Sequence, residues 1–324
     1  MQLSVLCNLF GDKMSLDELL SYLSSLGVRS VEVGAGGYPG KNQCDPAKLL
    51  ADEKALASFK DTFAKYDMSI SALAAHGNPV HPDKATAKAY HDDFTNAVLL
   101  AEKLGIRTVV GFSGCPGDCE SSRLPNWVTC SWPPDYVEIL KYQWDKVLIP
   151  YWKETAAFAL DHGVDRIAFE MHPGFCVYNP ETLLRLREET GRNNLGANFD
   201  PSHLIWQGID PALAIRNLAG KIYHFHAKDT IVDRYNRAAN GVLSTSNYIN
   251  ESTRPWIFRT VGYGNDLKYW KDMMSALQMT GYDGAVSIEH EDSTMSVREG
   301  LEKAVSFMKE VIINDPKPGS INWA

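Results

Sequence analysis

Short apolar runs alternate with amphipathic stretches along the whole chain. The apolar runs lie near residues 2–7, 29–33, 68–75, 107–112, 165–171, 194–199, 221–227 and 284–289, and they predict strands. The intervening segments, such as SLDELLSYLSSLG and DPALAIRNLAG, have helical spacing, and several end in a glycine suited to a helix C-cap. Eight β/α units in series predict a single α/β (β/α)8 TIM barrel over residues 1–314, with residues 315–324 as a C-terminal tail.

Two connections are longer than a barrel requires. One runs from Ser113 to Pro134 and the other from Asp229 to about Asn265. Both follow strands, so they predict extended loops on the C-terminal face of the barrel, where such proteins carry their chemistry. Loops of this length act as lids or binding elements, or they mediate subunit contacts. The sequence leaves both interpretations open.

Four strand-like runs in the second half of the chain each end in a residue that can bind a metal. The runs RIAFE, LGANFD, KIYHFH and GAVSIE end at Glu170, Asp200, His226 and Glu289. His226 is preferred to His224 because it lies nearer the end of its strand. Parallel strands of a barrel bring their C-terminal ends to one rim, so we expect these four side chains to converge. Three carboxylates and one imidazole suit Mn²⁺, Mg²⁺ or Co²⁺, with Zn²⁺ as a further alternative.

Two further side chains are predicted to face the same rim. His172 follows Glu170 by two residues, and alternate residues of a strand point to the same side. It is therefore a candidate catalytic residue, or a packing histidine in the turn MHPG. Lys228 follows His226 by two residues and would bring a positive charge that holds a sugar oxygen or stabilises an enolate. A salt bridge to a nearby acid is the alternative role for this lysine.

Other polar residues at strand ends are candidate substrate contacts. His203 follows Asp200 by three residues, where the next helix begins. The earlier strands contribute the polar residues Asn8, Glu32, His76 and Asn78. Of these, His76 and Asn78 join His203 and Lys228 in the predicted substrate-binding set.

Composition restricts the classes of function. The chain has 324 residues, 44% of them hydrophobic, and a formal charge of -8 without a dense Lys/Arg run, which disfavours nucleic acid as a ligand. No apolar stretch is long enough to span a membrane, and the N-terminal residues lack the features of a signal peptide. The six cysteines are scattered through the chain, as is typical of reduced thiols in a cytoplasmic protein.

Several motifs together resemble those of a known family. The segments EMHPG, NFDPSH, HFHAKD, RTVGYG and GYDGAVSIEHED are similar to the sugar phosphate isomerase/epimerase family of the xylose isomerase-like TIM barrel superfamily. The resemblance implies that Glu170, Asp200, His226 and Glu289 hold one divalent metal ion, with Mn²⁺ preferred. It also implies that Glu170 and Glu289 move a proton on either face of a sugar.

One difference from the epimerase pattern leaves the reaction open. The first glutamate is followed by Met171 and His172, where epimerases tend to have Pro and Asn. A Glu-x-His arrangement resembles relatives that act on 3-keto sugars, including C-glycoside deglycosidases. The leading hypothesis is therefore a metal-dependent sugar isomerase or epimerase that works through an enediolate. The alternative is a metal-dependent lyase that acts by β-elimination on a 3-keto sugar or glycoside, for example a dehydratase.

Two other hypotheses are weaker. Abasic-site endonucleases share the superfamily, but they need a basic track for DNA, and this chain is acidic. A barrel that only binds sugar would show no turnover. The expected partner is a small, unphosphorylated sugar or glycoside, and assembly into a homo-oligomer is left open.

Overall fold

Eight parallel strands close into a barrel, as the alternation of apolar runs predicts. The computed structural model describes residues 1–316 and 319. Around the barrel the strand order is β1-β10-β7-β6-β5-β4-β3-β2, and β8 and β9 form a separate two-stranded sheet. The strands are β1 Gln2–Leu6, β2 Ser30–Gly37, β3 Ser69–His76, β4 Thr108–Gly111, β5 Arg166–Glu170, β6 Leu195–Phe199, β7 Ile222–Ala227, β8 Asp229–Val232, β9 Trp256–Arg259 and β10 Ala285–Ile288. The single (β/α)8 barrel is confirmed.

Strand β2 continues to Gly37, beyond the end at residue 33 that its apolar run predicts. It stays paired with β3 through two register shifts, the second of them between Gly34 and Gly36. A Cβ on Gly37 would lie 1.6 Å from the backbone oxygen of His76, so only glycine permits this approach of the two strands. The small residues at the end of β2 therefore extend the sheet where apolar periodicity gives no signal.

Helices cover the outside of the barrel and begin at capping residues that the sequence supplies. Ser15 and Glu18 form a reciprocal capping box at the start of α1, and α4 ends at Gly105, which has a left-handed φ of 71°. The helices are α1 Leu16–Ser25, α2 Pro46–Ala51, α3 Glu53–Lys65, α4 Lys84–Leu104, α5 Asp135–Tyr142, α6 Ile149–Asp161, α7 Pro180–Thr190, α8 Pro201–Ile205, α9 Pro211–Asn217, α10 Arg234–Asn240, α11 Leu267–Met279 and α12 Val297–Val311. A π-helical turn, Gln143–Leu148, joins α5 to α6.

The main apolar core lies between the strands and the helices. Trp152 of α6 is fully buried, with its ring centroid 5.4 Å from that of Phe94 and 4.5 Å from that of Phe169. Truncating such a residue to alanine typically costs about 3–5 kcal/mol. The interior of the barrel near its C-terminal rim is instead polar, because Glu32, Asn198 and His224 are buried there. A packed outer core thus supports a polar interior.

The two long connections differ from each other in structure. Residues 112–134 contain no helix or strand, in agreement with the predicted loop. The connection from Asp229 to Asn265 contains the antiparallel pair β8–β9 and helix α10, which the sequence interpretation did not predict. This segment, residues 229–265, is called the β8–β9 excursion below.

The carboxylate of Asp229 holds both ends of the β8–β9 excursion together. Its Oδ2 accepts hydrogen bonds from the backbone N–H groups of Gly262, Gly264 and Asn265 at 2.9, 3.1 and 3.0 Å. Its Oδ1 accepts from the side-chain amide of Asn265 at 2.7 Å. A buried carboxylate with this many donors ties the returning chain to the end of β7.

Three remaining predictions concern the chain ends, membranes and cysteines. Within the described residues, no helix combines the length and apolarity that a membrane crossing requires. The six cysteines are all free. Most of the predicted tail, residues 315–324, lies outside the described residues, so the division at residue 314 stays a prediction.

Candidate metal centre and active site

The four residues at the strand ends converge at the C-terminal rim of the barrel. Glu170 ends β5, Asp200 follows β6 and caps α8, His226 lies in β7, and Glu289 follows β10. Each offers a nitrogen or carboxylate oxygen, and these four atoms lie within 4.8 Å of one another. The distance between them is short enough for one cation to contact all four.

The imidazole of His226 is held from two sides. Its Nδ1 lies 2.9 Å from Oε2 of Glu289 and 3.4 Å from Oε2 of Glu170. Its Nε2 lies 2.9 Å from Oε2 of Glu32, a fully buried residue of β2. One ring nitrogen therefore faces the group of four strand-end residues, and the other faces a carboxylate behind it.

The donor atoms fit a divalent cation. Oδ2 of Asp200, Nδ1 of His226 and Oε2 of Glu289 are shielded from solvent and have no hydrogen-bond partner among the described residues. Carboxylate oxygens cannot donate to one another, and the single ammonium group of Lys228 balances only part of their negative charge, which is costly in a protein interior. A hard or borderline divalent ion accepts mixed oxygen and nitrogen ligands of this type. Only the fit of the residues is a structural observation, and metal binding remains a prediction.

Lys228 places a fixed positive charge beside these carboxylates. Its Nζ lies 3.2 Å from Oδ2 of Asp200, 3.1 Å from Oε2 of Glu289 and 3.2 Å from Oε2 of Glu291. Burial lowers the pKa of Lys228, but these carboxylates outweigh it and raise the pKa well above its ordinary value. Burial raises the pKa of Glu289, but Lys228 and then His226 bring it down to about 2. Both side chains are therefore charged at neutral pH.

Both oxygens of Glu170 are engaged by histidines. Oε1 lies 2.9 Å from Nε2 of His203, and Oε2 lies 3.0 Å from Nε2 of His76. Burial raises the pKa of Glu170, but the contacts with His203, His226 and His76 hold it well below its ordinary value. Two predicted substrate contacts, His203 and His76, thus lie against a predicted metal ligand.

His172 borders the same site with one free ring nitrogen. Its Nδ1 lies 2.6 Å from the backbone oxygen of Pro173, an acceptor, so Nδ1 carries the proton and Nε2 carries the lone pair. Burial, reinforced by the nearby His203, lowers the pKa of His172 to about 3. The two imidazole rings are 4.0 Å apart. The side chain is therefore a neutral imidazole.

A cavity of about 130 Å³ opens over these residues. Three carboxylates and one ammonium group supply its charges. Its lining consists of Leu6, Asn8, Tyr38, Pro39, His76, Phe112, Glu170, His172, Lys228, Glu289 and Glu291. This arrangement would hold a small polar molecule against Glu170, Glu289 and His172.

One predicted substrate contact lies elsewhere. The side-chain amide of Asn78 donates to the backbone oxygen of Cys115 at 2.8 Å and accepts from its backbone nitrogen at 3.0 Å. The cavity lining does not include Asn78. The residue instead holds the loop of residues 112–134 through the backbone of Cys115.

Aromatic residues complete the site, and the sequence interpretation did not single them out. Phe112 stacks on Phe175 at a centroid distance of 4.2 Å and lies 5.1 Å from His172. Phe258 of β9 packs under the ammonium group of Lys228 at 4.8 Å. The position of Phe112 at the end of the fourth predicted strand was an available signal. No such sequence signal was available for Phe258, because it lies far along the β8–β9 excursion.

A closed parallel barrel with an acidic, histidine-rich rim defines a TIM barrel of the kind that builds active sites from strand ends. Residues 20–311 match the family model described as xylose isomerase-like TIM barrel. The chain belongs to this family, which confirms the superfamily that the sequence motifs resemble.

Relatives include both unassigned proteins and named enzymes. The chain is 38% identical over 314 residues to the uncharacterized protein YfiH of Bacillus subtilis strain 168, covering 96% of this chain and 99% of YfiH. It is 25% identical over 170 residues to an inosose dehydratase of Geobacillus thermodenitrificans, covering 52% and 54% of the two chains.

Solved structures agree on the fold. The crystal structure of the IolI protein with a bound zinc atom superposes with a TM-score of 0.65 at 20% identity, covering 96% of this chain and 98% of IolI. At this level of identity the likeness shows the architecture. It does not identify the reaction, for which the residues of the site are the basis.

Proposed function

We propose that this protein is a divalent-metal-dependent lyase, most simply a dehydratase, that acts on a neutral keto sugar or cyclic keto polyol. The observation that carries the proposal is an asymmetry at the cavity. His172 presents a neutral imidazole with Nε2 unprotonated, whereas both oxygens of Glu170 are held by His203 and His76. The carboxylate that epimerases use as one of two opposed bases is thus already hydrogen-bonded, and an imidazole stands beside it.

Glu170, Asp200, His226 and Glu289 would hold the metal ion. We take Mn²⁺ as the preferred ion, with Mg²⁺, Co²⁺ or Zn²⁺ as alternatives, and the zinc atom bound by the IolI protein, which shares this fold, supports a divalent metal. When bound, such an ion polarises a carbonyl and its neighbouring hydroxyl and so acidifies the adjacent C–H.

His172 has the geometry of a base that also returns the proton. Its Nε2 takes the proton from the carbon α to the carbonyl, and the electron pair of the C–H bond passes into an enediolate. The resulting N–H donates the same proton to the β-hydroxyl, the C–O bond breaks, and water leaves. The imidazole is neutral again at the end, so no further acid or base is needed. The Pro173 carbonyl keeps Nδ1 protonated throughout.

Lys228 supports the negative charge that develops on substrate oxygens. The Lys228 ammonium is 2% exposed, and Asp200, Glu289 and Glu291 hold it in place. A fixed positive charge in a site screened from water stabilises an enediolate more than it stabilises a neutral ketone. Lys228 therefore favours the transition state over the bound ground state.

The charges of the cavity favour an uncharged substrate. Glu170, Glu289 and Glu291 line it, and Lys228 is the one lysine or arginine in the lining. Three carboxylates already surround this ammonium group. A phosphorylated or carboxylated sugar would meet further negative charge, and this supports a neutral polyol as substrate.

A sugar isomerase or epimerase is the second candidate. Glu170 and Glu289 both reach the predicted metal position, with Oε2 atoms 3.4 and 2.9 Å from Nδ1 of His226. Two such carboxylates could move a proton on opposite faces of a ketose. Their shared position at the metal is the observation that favours this alternative.

A substrate panel with product analysis tests the proposal. The purified protein, loaded with Mn²⁺, is incubated in D₂O with an inosose, a free ketose and a 3-keto-glucoside. A lyase yields a product lighter by one water, or releases an aglycone, with a new ultraviolet absorbance from the conjugated carbonyl. Conversion of free ketoses to an epimer or isomer carrying solvent deuterium, without elimination, would exclude the lyase and establish the second candidate. A chelator should abolish either activity.

A further inference from the structure

Glu32 contacts the predicted metal site from behind. It lies in β2 and is fully buried, and its Oε2 is 2.9 Å from Nε2 of His226. Strand β2 is not a neighbour of β7 in the barrel, so the Glu32 side chain reaches His226 through the barrel interior. A buried carboxylate is costly unless it is paired, and His226 is its hydrogen-bond partner.

The carboxylate determines where the imidazole carries its proton. An ionised carboxylate can only accept hydrogen bonds, so Nε2 of His226 must be the protonated nitrogen. The amide of Asn198 lies 3.1 Å from the same Nε2, but an amide is neutral and can turn, whereas Glu32 offers acceptors alone. Nδ1 is then free to carry a lone pair toward the strand-end residues.

A lone pair on Nδ1 would face the position predicted for the metal ion. Nδ1 lies 2.9 Å from Oε2 of Glu289 and 3.4 Å from Oε2 of Glu170, and these oxygens also carry only lone pairs. With Nδ1 unprotonated, three acceptors face one another, and a cation bound between them would remove this repulsion. A carboxylate behind a metal-binding histidine commonly fixes its tautomer and raises its basicity.

We infer that Glu32 is a positioning residue, which orients His226 and keeps Nδ1 available as the nitrogen ligand of the metal ion. This inference rests on the proposed metal-dependent function. Glu32 is not part of the cavity lining, and its hydrogen bond to the predicted ligand set is the one with His226. The length of the side chain matters, because Asp at this position would end about 1.5 Å short and lose the contact.

Metal affinity measures this role without any assay of turnover. Mn²⁺ is titrated into the wild-type protein and into the Glu32→Gln, Glu32→Asp and Ser71→Ala variants. Electron paramagnetic resonance measures the Mn²⁺ that remains free. Glu32→Gln keeps the shape of the side chain and removes its charge, and it should weaken Mn²⁺ binding by about 10–100-fold. Glu32→Asp should weaken binding as well. Ser71→Ala is the control, because Ser71 contacts His224 in the same polar interior and does not contact His226; its affinity should match that of the wild type.

A second measurement needs no variant. In Zn²⁺-loaded protein with ¹⁵N-labelled histidine, His226 should show a protected Nε2–H proton and a metal-bound Nδ1. A proton on Nδ1, or Glu32→Gln binding Mn²⁺ within twofold of wild type, would overturn the inference and leave the proposed function standing. Failure of the wild-type protein to bind any divalent metal would overturn both together.

Discussion

The ammonium nitrogen of Lys228 lies 3.1 Å from Oε2 of Glu289, although the two residues end different strands of the barrel. The same ammonium is 3.2 Å from Oδ2 of Asp200. Lys228 therefore shares two carboxylates with the predicted metal position. A lysine so placed offsets part of the negative charge at the rim and leaves the rest for a divalent ion.

Lys228→Met tests this charge balance. Removing the ammonium leaves buried carboxylates without their partner, which should lower the free energy of unfolding by about 3–5 kcal/mol in metal-free protein. Added Mn²⁺ should restore more stability to the variant than to the wild type. Urea denaturation with and without chelator measures both effects. The control is Lys271→Met, which removes a surface ion pair with Glu310 and should cost less than about 1 kcal/mol. Equal stability of Lys228→Met and wild type in chelator would contradict the prediction.

Glu289→Gln and Glu291→Gln compare a predicted metal ligand with an acidic neighbour outside the ligand set. Glu289→Gln removes a charge that contacts both His226 and Lys228, so Mn²⁺ binding should weaken and kcat/KM should fall by at least about 100-fold. Glu291→Gln removes a carboxylate from the same ammonium but lies outside the predicted ligand set, and it should cost less than about tenfold. Steady-state kinetics at saturating Mn²⁺ compare the two. Similar losses in both variants would argue against a special position for Glu289.

His172→Gln discriminates between the two candidate reactions. If His172 is the base, the variant should lose elimination by about 100-fold or more, and neither protein should exchange the substrate α-proton with D₂O, because His172 passes that proton to the leaving hydroxyl. If the carboxylates move the proton, exchange should occur in both proteins. Proton NMR of the substrate in D₂O reports exchange directly. His162→Gln, on an exposed helix end beside Glu102, is the control and should behave as wild type.

Asp229→Asn should loosen the β8–β9 excursion. The Oδ2 atom of Asp229 accepts from three backbone N–H groups and from Nε1 of Trp270, so an NH₂ group at this position would face donors. We expect a loss of about 2–4 kcal/mol in the free energy of unfolding. Limited proteolysis should also cut faster within residues 233–254. The control Asp233→Asn changes only the cap of helix α10 and should cost about 1 kcal/mol or less. Unchanged proteolysis of Asp229→Asn would refute the anchoring role.

Asp292 should contribute stability that disappears in acid. Burial raises the pKa of this carboxyl, but hydrogen bonds from the backbone N–H of Thr260 and from Thr294 outweigh it and hold the pKa at about 2. Because the folded pKa lies below the unfolded-state pKa of 3.8, the contribution is present above pH 3.8 and is lost as pH falls toward 2. Its size is about 2 kcal/mol.

Urea denaturation of wild type and Asp292→Asn at pH 6 and pH 3 measures this contribution. The difference in unfolding free energy between the two proteins should shrink at the lower pH. Asp272→Asn, which removes a carboxylate from an exposed pair with Lys268, should show a much smaller change. A difference that is constant with pH would contradict the assignment.

Local periodicity predicted the barrel because each strand and helix is encoded within its own segment. All eight barrel strands occur where apolar runs predict them, and helices begin at residues such as Ser15 and Asp83 whose side chains cap them. The end of β2 and the strands of the β8–β9 excursion were not predictable in this way. Their pairing depends on contacts with distant segments, as between Thr230 and Phe258.

The sequence by itself determined which side chains reach the rim, because the strand ends of a parallel barrel share one face. The residues at the ends of the four apolar runs are Glu170, Asp200, His226 and Glu289. Only the tertiary structure decided what each side chain does there. It placed Glu32 behind His226, His203 and His76 on Glu170, and Asn78 on a loop. The physical reason is that periodicity gives the side of a strand on which a residue lies, whereas hydrogen bonds within 3 Å depend on how eight strands close around a common interior.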